Sequence, residues 1–265
     1  MDLIEANKQQ YNIANRHPWE LARIEVVFIL LKRLCPDLLK RKCCIIDIGC
    51  GDTFFVEQLS KRIPHAEFIA IDTGFTKEVL SKLRNKYQNC KIRVYKSVES
   101  ALSECKESID LVLLLDVIEH VKDDVGFLKK MRRELFTRDE TTLILTAPAY
   151  QFLFSMHDVY LKHFRRYSSL RVERLLTEAG FDIELSGYFF GLLVIPRLLK
   201  KLKEIIINLG VENESGVGLW KSLGLFDIII KNILIIDFKV SWWMTKLGIS
   251  LPGLSAYAIC KKTKW

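Results

Sequence analysis

The run CCIIDIGCGDTFFVEQL, residues 43–59, constrains this chain more than any other stretch. Cys44–Ile48 is short and apolar apart from Asp47, as expected of a strand covered on both faces. It ends in a turn with Gly49 and Gly51, and a helical pattern follows over Thr53–Arg62. The glycines let the backbone bend sharply and approach a ligand without a Cβ in the way. The helix then aims its first N–H groups at that ligand. A strand buried in this way needs parallel neighbours, and parallel neighbours need crossover helices.

The rest of the chain supplies both. Strand patterns fall at Glu67–Asp72, Lys91–Lys96, Leu111–Leu115, Thr141–Ala147, Phe181–Phe189 and Ala256–Lys261. Helical patterns fall at residues 18–34, Thr76–Lys86, Asp123–Phe136 and Ser168–Ala179, the last stopped by Gly180. The expectation is an α/β fold: a seven-stranded, mostly parallel, doubly wound sheet with a helical insertion before the last strand. Four parts are expected. They are an N-terminal helical cap (1–40), a nucleotide-binding Rossmann-like domain (41–190), a hydrophobic and basic insertion (191–250) and the final strand (251–265). In such sheets ligands bind outside the carboxyl ends of the strands, near the switch point.

FIAIDTGF places Asp72 at the tip of the second strand, about 20 residues beyond Gly51, where an acid can accept hydrogen bonds from ribose hydroxyls. An ordinary βα turn with a capping acid is the plain alternative. A dinucleotide fingerprint would require glycine at residue 54, and Phe54 stands there, which argues against NAD.

With DLVLLLDVIEHVKDD at 110–124, these residues resemble the class I, Rossmann-like S-adenosylmethionine (SAM)-dependent methyltransferases over roughly residues 15–190 and the final strand. The resemblance implies SAM as cofactor. It lays Asp47, Gly49, Cys50 and Gly51 along the methionine moiety, Asp72 and Thr73 at the ribose, Ser97 and Val98 at the adenine, and Leu115 and Asp116 at the methionine end. Thr53 stands where the family's motif has its third glycine, and FTRDETT replaces the usual Pro-Gly-Gly turn before the fifth strand. Glu119 and His120 follow the fourth strand and read equally as polar turn residues or as part of the site.

After the fifth strand the chain reads APAYQFLFSMHDVYLKHFRRYSSLRVERLL. This segment, together with His17, Pro18, Trp19 and Arg23, is similar to a bacterial subgroup of these methyltransferases that accompanies glycan and lipid biosynthesis. His163 and His157 are the candidate bases, with Asp158 to orient either one. Trp19, Arg165, Arg166 and Tyr167 are the candidate acceptor contacts; a guanidinium can hold a carboxylate or phosphate in bidentate fashion. The plain alternative is that the arginines stitch the loop to the domain.

Residues 197–209 pattern as a basic amphipathic helix, and 219–239 are apolar almost all round, so two helices are expected in the insertion. A core-packed lid, an anionic-membrane contact and a homodimer interface all fit them. The net charge of +8 favours anionic partners without choosing among them. The seven cysteines form no C-x-x-C pair, so neither a metal site nor a disulfide framework is expected. MDLIEANKQQ has no apolar core of a signal peptide, and a cytoplasmic setting, with or without peripheral membrane contact, is expected. Methyl transfer to oxygen of a small or lipid-linked acceptor is the expected activity. An RNA methyltransferase lacks support beyond charge, so nucleic acid is not an expected partner. A SAM-binding protein without catalysis is the other rival.

Overall fold

The computed structural model describes residues 16–105, 107–138, 140–207 and 224–263. The helical pattern that opens the chain is α1 (Pro18–Leu34), with Pro18 in its first turn and His17 capping it through Nδ1. Then follow β1 (Cys44–Ile48), α2 (Phe54–Arg62), β2 (Glu67–Ile71), α3 (Lys77–Tyr87), β3 (Ile92–Tyr95), α4 (Val98–Glu104) and β4 (Leu111–Leu115). A 3₁₀ turn at Ile118–His120 leads to α5 (Asp124–Leu135), β5 (Thr142–Pro148) and a five-residue helix α6 (Met156–Tyr160). The chain continues with α7 (Ser169–Glu178), β6 (Phe181–Phe189), α8 (Val194–Ile207), α9 (Leu225–Lys246) and β7 (Ser255–Lys262).

The seven strands order as β3-β2-β1-β4-β5-β7-β6. β1 to β5 pair in parallel, and β7 runs antiparallel between β5 and β6. This is the expected doubly wound α/β sheet. The order reverses between β1 and β4, so the turns after those two strands flank the crevice where such folds bind ligands. Every residue of β1 and β4 is buried, as strands covered on both faces must be. One core layer joins α1, α2 and α9 to the sheet, and the other joins α4, α5 and α7.

The insertion contains α8 and α9; residues 208–223, with the start of the apolar 219–239 run, lie outside the described residues. α9 packs on α1 and on β6, burying Leu234, Phe238 and Ser241. Its opposite side leaves Phe226, Ile229, Ile233, Ile236, Val240 and Trp243 exposed. On α8 two of the basic residues are turned to the domain and the apolar row is turned outward. Arg197 and Lys201 point inward and bond Asp158, Ser155 and the Phe154 carbonyl, while Ile195, Leu199, Leu202 and Ile206 face outward. Among the described residues no helix is long and apolar enough to cross a membrane.

If α9 is an integral wall of the domain, Phe238→Ala destabilises the whole fold. Phe238 is 1% exposed and meets Tyr257 edge-on. Truncating such a ring costs about 3–5 kcal/mol. Urea denaturation followed by tryptophan fluorescence checks this; an unchanged midpoint would make α9 a loosely attached appendage.

Candidate active site

The turn after β1 is built for close approach. Gly49 and Gly51 have φ of +74° and +58°, a region that costs a residue with a Cβ dearly. A Cβ at Gly49 would lie 2.7 Å from Cγ2 of Val117, so the β1 and β4 turns can meet only at glycine. The Gly49 and Cys50 N–H groups donate to the Ile71 carbonyl, which ties the turn to the end of β2. Thr53 takes the family's third glycine position in a left-handed conformation, φ 66°, and is fully buried with its hydroxyl 2.7 Å from that of Tyr87. Thr53 thus adopts a conformation that glycine takes readily.

Asp72 links two turns. One carboxylate oxygen accepts from Gly51 N–H at 2.9 Å and the other from Gly74 N–H at 2.8 Å. Carboxylate oxygens carry further lone pairs, so ribose hydroxyls can still donate to it. Asp47 is buried at the end of β1, and burial pushes its carboxyl up to about 7 against the opposing pull of Arg23. Asp116 sits at φ 59° just past β4, held by the Arg23 guanidinium and by the Thr146 hydroxyl at 2.9 Å.

These turns open into a cavity of about 680 Å³. Asp47, Gly49, Cys50, Gly51, Asp72, Thr73, Leu115 and Asp116 line it, as expected of a cofactor site. Two left-handed glycines and three convergent carboxylates fit a ligand that carries a ribose diol and positive charge. Ser97 and Val98 are not among the lining residues. Ser97 caps α4 through Ser100 N–H at 3.2 Å and Val98 is buried beneath it, so both serve the helix start.

The acceptor segment closes the other end of the same cavity. Trp19, His157, His163 and Arg166 line it. His163 Nδ1 lies 3.0 Å from Asp158 Oδ1, and Asp158 is completely buried. That carboxylate also accepts from Arg166 Nε at 2.8 Å, Arg197 Nη2 at 3.0 Å and Ser155 N–H at 2.9 Å. Burial alone would raise its pKa, but the His163 hydrogen bond and the Arg166 charge outweigh burial and hold it well below the usual carboxylate range. Asp158 stays ionised, and an ionised partner favours the tautomer with hydrogen on Nδ1 of His163. The lone pair of Nε2 is then available.

Arg165 and Tyr167 do not reach the cavity. Arg165 bonds Asp124 at 2.7 Å and the Lys122 carbonyl at 2.8 Å. Tyr167 is fully buried, its hydroxyl on Asp124 and on the Ile118 carbonyl. Both stitch the acceptor segment to the turn after β4, and neither is placed to touch an acceptor.

Three lining residues carry more than their sequence context suggested. Glu119 is completely buried, and neither of its carboxylate oxygens has a hydrogen-bond partner among the described residues. Desolvation, with Asp116 nearby, pushes its carboxyl well above the usual range. Arg197 and Lys162 also line the cavity. Arg197 comes from the insertion, where amphipathic spacing alone places it on a solvent face.

Residues 45–136 match the family model described as a methyltransferase domain. A probable S-adenosylmethionine-dependent methyltransferase of Mycobacterium tuberculosis is 25% identical over 173 residues, which are 64% of this chain and 58% of that protein's length. The match therefore spans less than two thirds of the relative. A ubiquinone biosynthesis O-methyltransferase of Ruegeria pomeroyi is 27% identical over 85 residues, 32% of this chain and 34% of the relative. The structure of Haemonchus contortus phosphoethanolamine N-methyltransferase 2 in complex with SAM superposes with a TM-score of 0.52 at 16% identity, covering 91% of this chain and 52% of that one. The chain shares the α/β fold of that methyltransferase structure, and within it residues 45–136 match the methyltransferase-domain model. The relatives and the superposed structure are named as SAM-dependent or SAM-bound, and the resemblance read from Asp47–Gly51 and Asp72 implies the same ligand for this cavity.

Loss of the Asp72 carboxylate should weaken SAM binding by about 1.5–3 kcal/mol, the worth of charge-assisted hydrogen bonds. Isothermal titration of Asp72→Ala against wild type checks this, with a thermal melt to confirm that the Gly51 and Gly74 turns survive. Equal affinities would remove Asp72 from the cofactor site.

Proposed function

We propose that the whole chain is a SAM-dependent methyltransferase acting on a hydroxyl of a small or lipid-linked acceptor. The observation that carries this reading is the single cavity: the cofactor turns line one end and His163, backed by Asp158, lines the other. SAM supplies a methyl carbon on a sulfonium. The chain's own residues must align the acceptor with it and activate the hydroxyl. His163 is the activating group, because Asp158 fixes its ring and leaves Nε2 toward the site. Arg166 is held by Asp158 and by the Ala149 carbonyl at 3.2 Å, so its charge acts on the acceptor from a rigid mount. Trp19, backed by Arg23 at 5.2 Å from its ring centroid, forms an aromatic wall beside them.

A lipid-linked acceptor has support from outside the cavity. Phe190, Leu193 and Leu254 line the cavity beside Arg197 of α8, and α8 and α9 carry exposed apolar rows elsewhere on their surfaces. Lys200 and Lys203 lie on α8 beside its outward apolar row. An apolar surface with flanking cations suits shallow insertion among anionic headgroups. The reading is a peripheral contact on a membrane face, with α8 as the contact helix. A homodimer would cover the same rows, and nucleic acid has no support beyond the overall charge.

His163→Ala should slow methyl transfer by roughly 10²–10⁴, the usual contribution of a positioned proton acceptor, with SAM affinity nearly unchanged. Single-turnover transfer from labelled SAM into a lipid and glycan extract, with parallel SAM titration, measures both; wild-type turnover would move acceptor activation elsewhere. In a separate experiment the chain should co-sediment with anionic vesicles. Replacing Leu199 and Ile206 by Ser should abolish sedimentation while the thermal melt is unchanged. Sedimentation that survives this change, or is absent from wild type at low salt, would sink the membrane contact.

A further inference from the structure

We propose that Glu119, His120 and His163 form a binding site for a zinc-class divalent cation at the acceptor end of the cavity. The inference rests on the reading that the acceptor binds there, and it specifies how that end of the site works. One ligand atom from each residue lies within 4.8 Å of those from the other two. All three residues line the cavity. The grouping is imposed by the backbone: Phe164 N–H donates to the Glu119 carbonyl at 2.7 Å, which clamps the acceptor segment onto the 3₁₀ turn after β4. The rings of His120 and His163 meet edge to face, centroids 4.6 Å apart.

Two observations point to an ion. The first is Glu119, which is completely buried with both oxygens lacking any hydrogen-bond partner among the described residues. A buried carboxyl with both oxygens lacking a hydrogen bond is costly even as the neutral acid, and a bound cation would offset that cost by holding it as the carboxylate. The nearby guanidinium groups act on Glu119 only through space, since their hydrogen bonds go to Asp116 from Arg23 and to Asp158 and the Ala149 carbonyl from Arg166. The second is the Asp158–His163 pair. Metal-ligating imidazoles characteristically donate their other N–H to a carboxylate, which fixes the tautomer and raises basicity at the ligating nitrogen. His163 Nδ1 lies 3.0 Å from Asp158 Oδ1, so the proposal assigns Nε2 as the ligating atom.

Two imidazoles and one carboxylate suit zinc, cobalt or manganese better than calcium or magnesium, which favour all-oxygen shells. Metal bonds of about 2.0–2.2 Å would require the three groups to draw together slightly. Three protein donors leave coordination positions for an acceptor hydroxyl, whose pKa the cation would lower. The O–H bond then breaks with its proton passing to water. An oxygen lone pair forms the O–C bond to the methyl group, and the C–S bond breaks with its electron pair left on sulfur. No oxidant or reductant enters. With the cation bound, His163 would be its ligand, and the cation would activate the hydroxyl in place of the imidazole; loss of His163 would slow transfer in either case. The site contains no cysteine, so the unfavourable cysteine spacing has no bearing on it.

The test is calorimetric titration of the metal-free full chain with zinc sulfate, and the visible spectrum after cobalt(II) loading. One equivalent should bind, with a cobalt spectrum free of thiolate charge transfer. Glu119→Gln and His120→Ala should each lower zinc affinity by about tenfold or more. Asp158→Asn should lower it roughly 10–100-fold, as loss of a ligand's supporting carboxylate does. SAM titration on the same samples verifies folding; if Glu119→Gln does not fold, the half-buried His120 carries the test. Absence of zinc binding in wild type, binding unchanged in the folded variants, or a thiolate-type cobalt spectrum would each overturn the site. If zinc binds and the variants lose it while wild type fails to bind SAM, the cation site stands and the proposed function falls.

Discussion

Asp158 organises the acceptor end of this protein. A carboxylate with no solvent exposure must be compensated, and here the compensation comes from three directions. His163 and Arg166 reach it from its own segment, and Arg197 reaches it from α8. The three bonds fold residues 155–166 into a rigid wall and fasten the insertion to that wall. Without the carboxylate, two largely buried guanidinium groups would keep only neutral partners, the Ala149 carbonyl and the Ser155 hydroxyl, and α8 would lose its ion pair to the domain. The orientation of His163 and the roof over the cavity therefore depend on one buried charge.

The same interaction explains why α8 turns its apolar row outward. Arg197 and Lys201 are used internally, so the helix cannot also bury Ile195, Leu199 and Ile206 against the domain. α9 resolves the conflict differently, because Leu234 and Phe238 fill a groove between α1 and the sheet. One helix of the insertion is thus a wall of the core, and the other is a roof with an uncovered apolar back.

Much of the fold was legible in the sequence because β1 and β4 are short, apolar and buried on both faces, and the caps Thr76, Asp123 and Ser168 mark real helix starts. The cofactor end was equally readable, since Gly49, Gly51 and Asp72 act through local backbone geometry. The short helices α4 and α6 were not read, being too brief to show periodicity. Whether Arg165 and Tyr167 contact an acceptor or stitch the loop is not legible from spacing, because both bond Asp124, a partner about forty residues away whose position depends on tertiary folding. Spacing alone also could not show that Arg197 points inward, or that Glu119 has no hydrogen-bond partner among the described residues. Both facts arise only when the β4 turn, the acceptor segment and α8 converge.

The central claim is that cofactor and acceptor chemistry share one cavity, with the transferable methyl directed at the His163 end. A crystal structure of the complex with S-adenosylhomocysteine tests it most directly. The account predicts the ribose on Asp72, the amino-acid portion along Asp47–Gly51, and the sulfur facing His163 and Glu119 across open space. A sulfur turned away from that wall, or the nucleoside seated outside the Gly49–Gly51 turn, would contradict it.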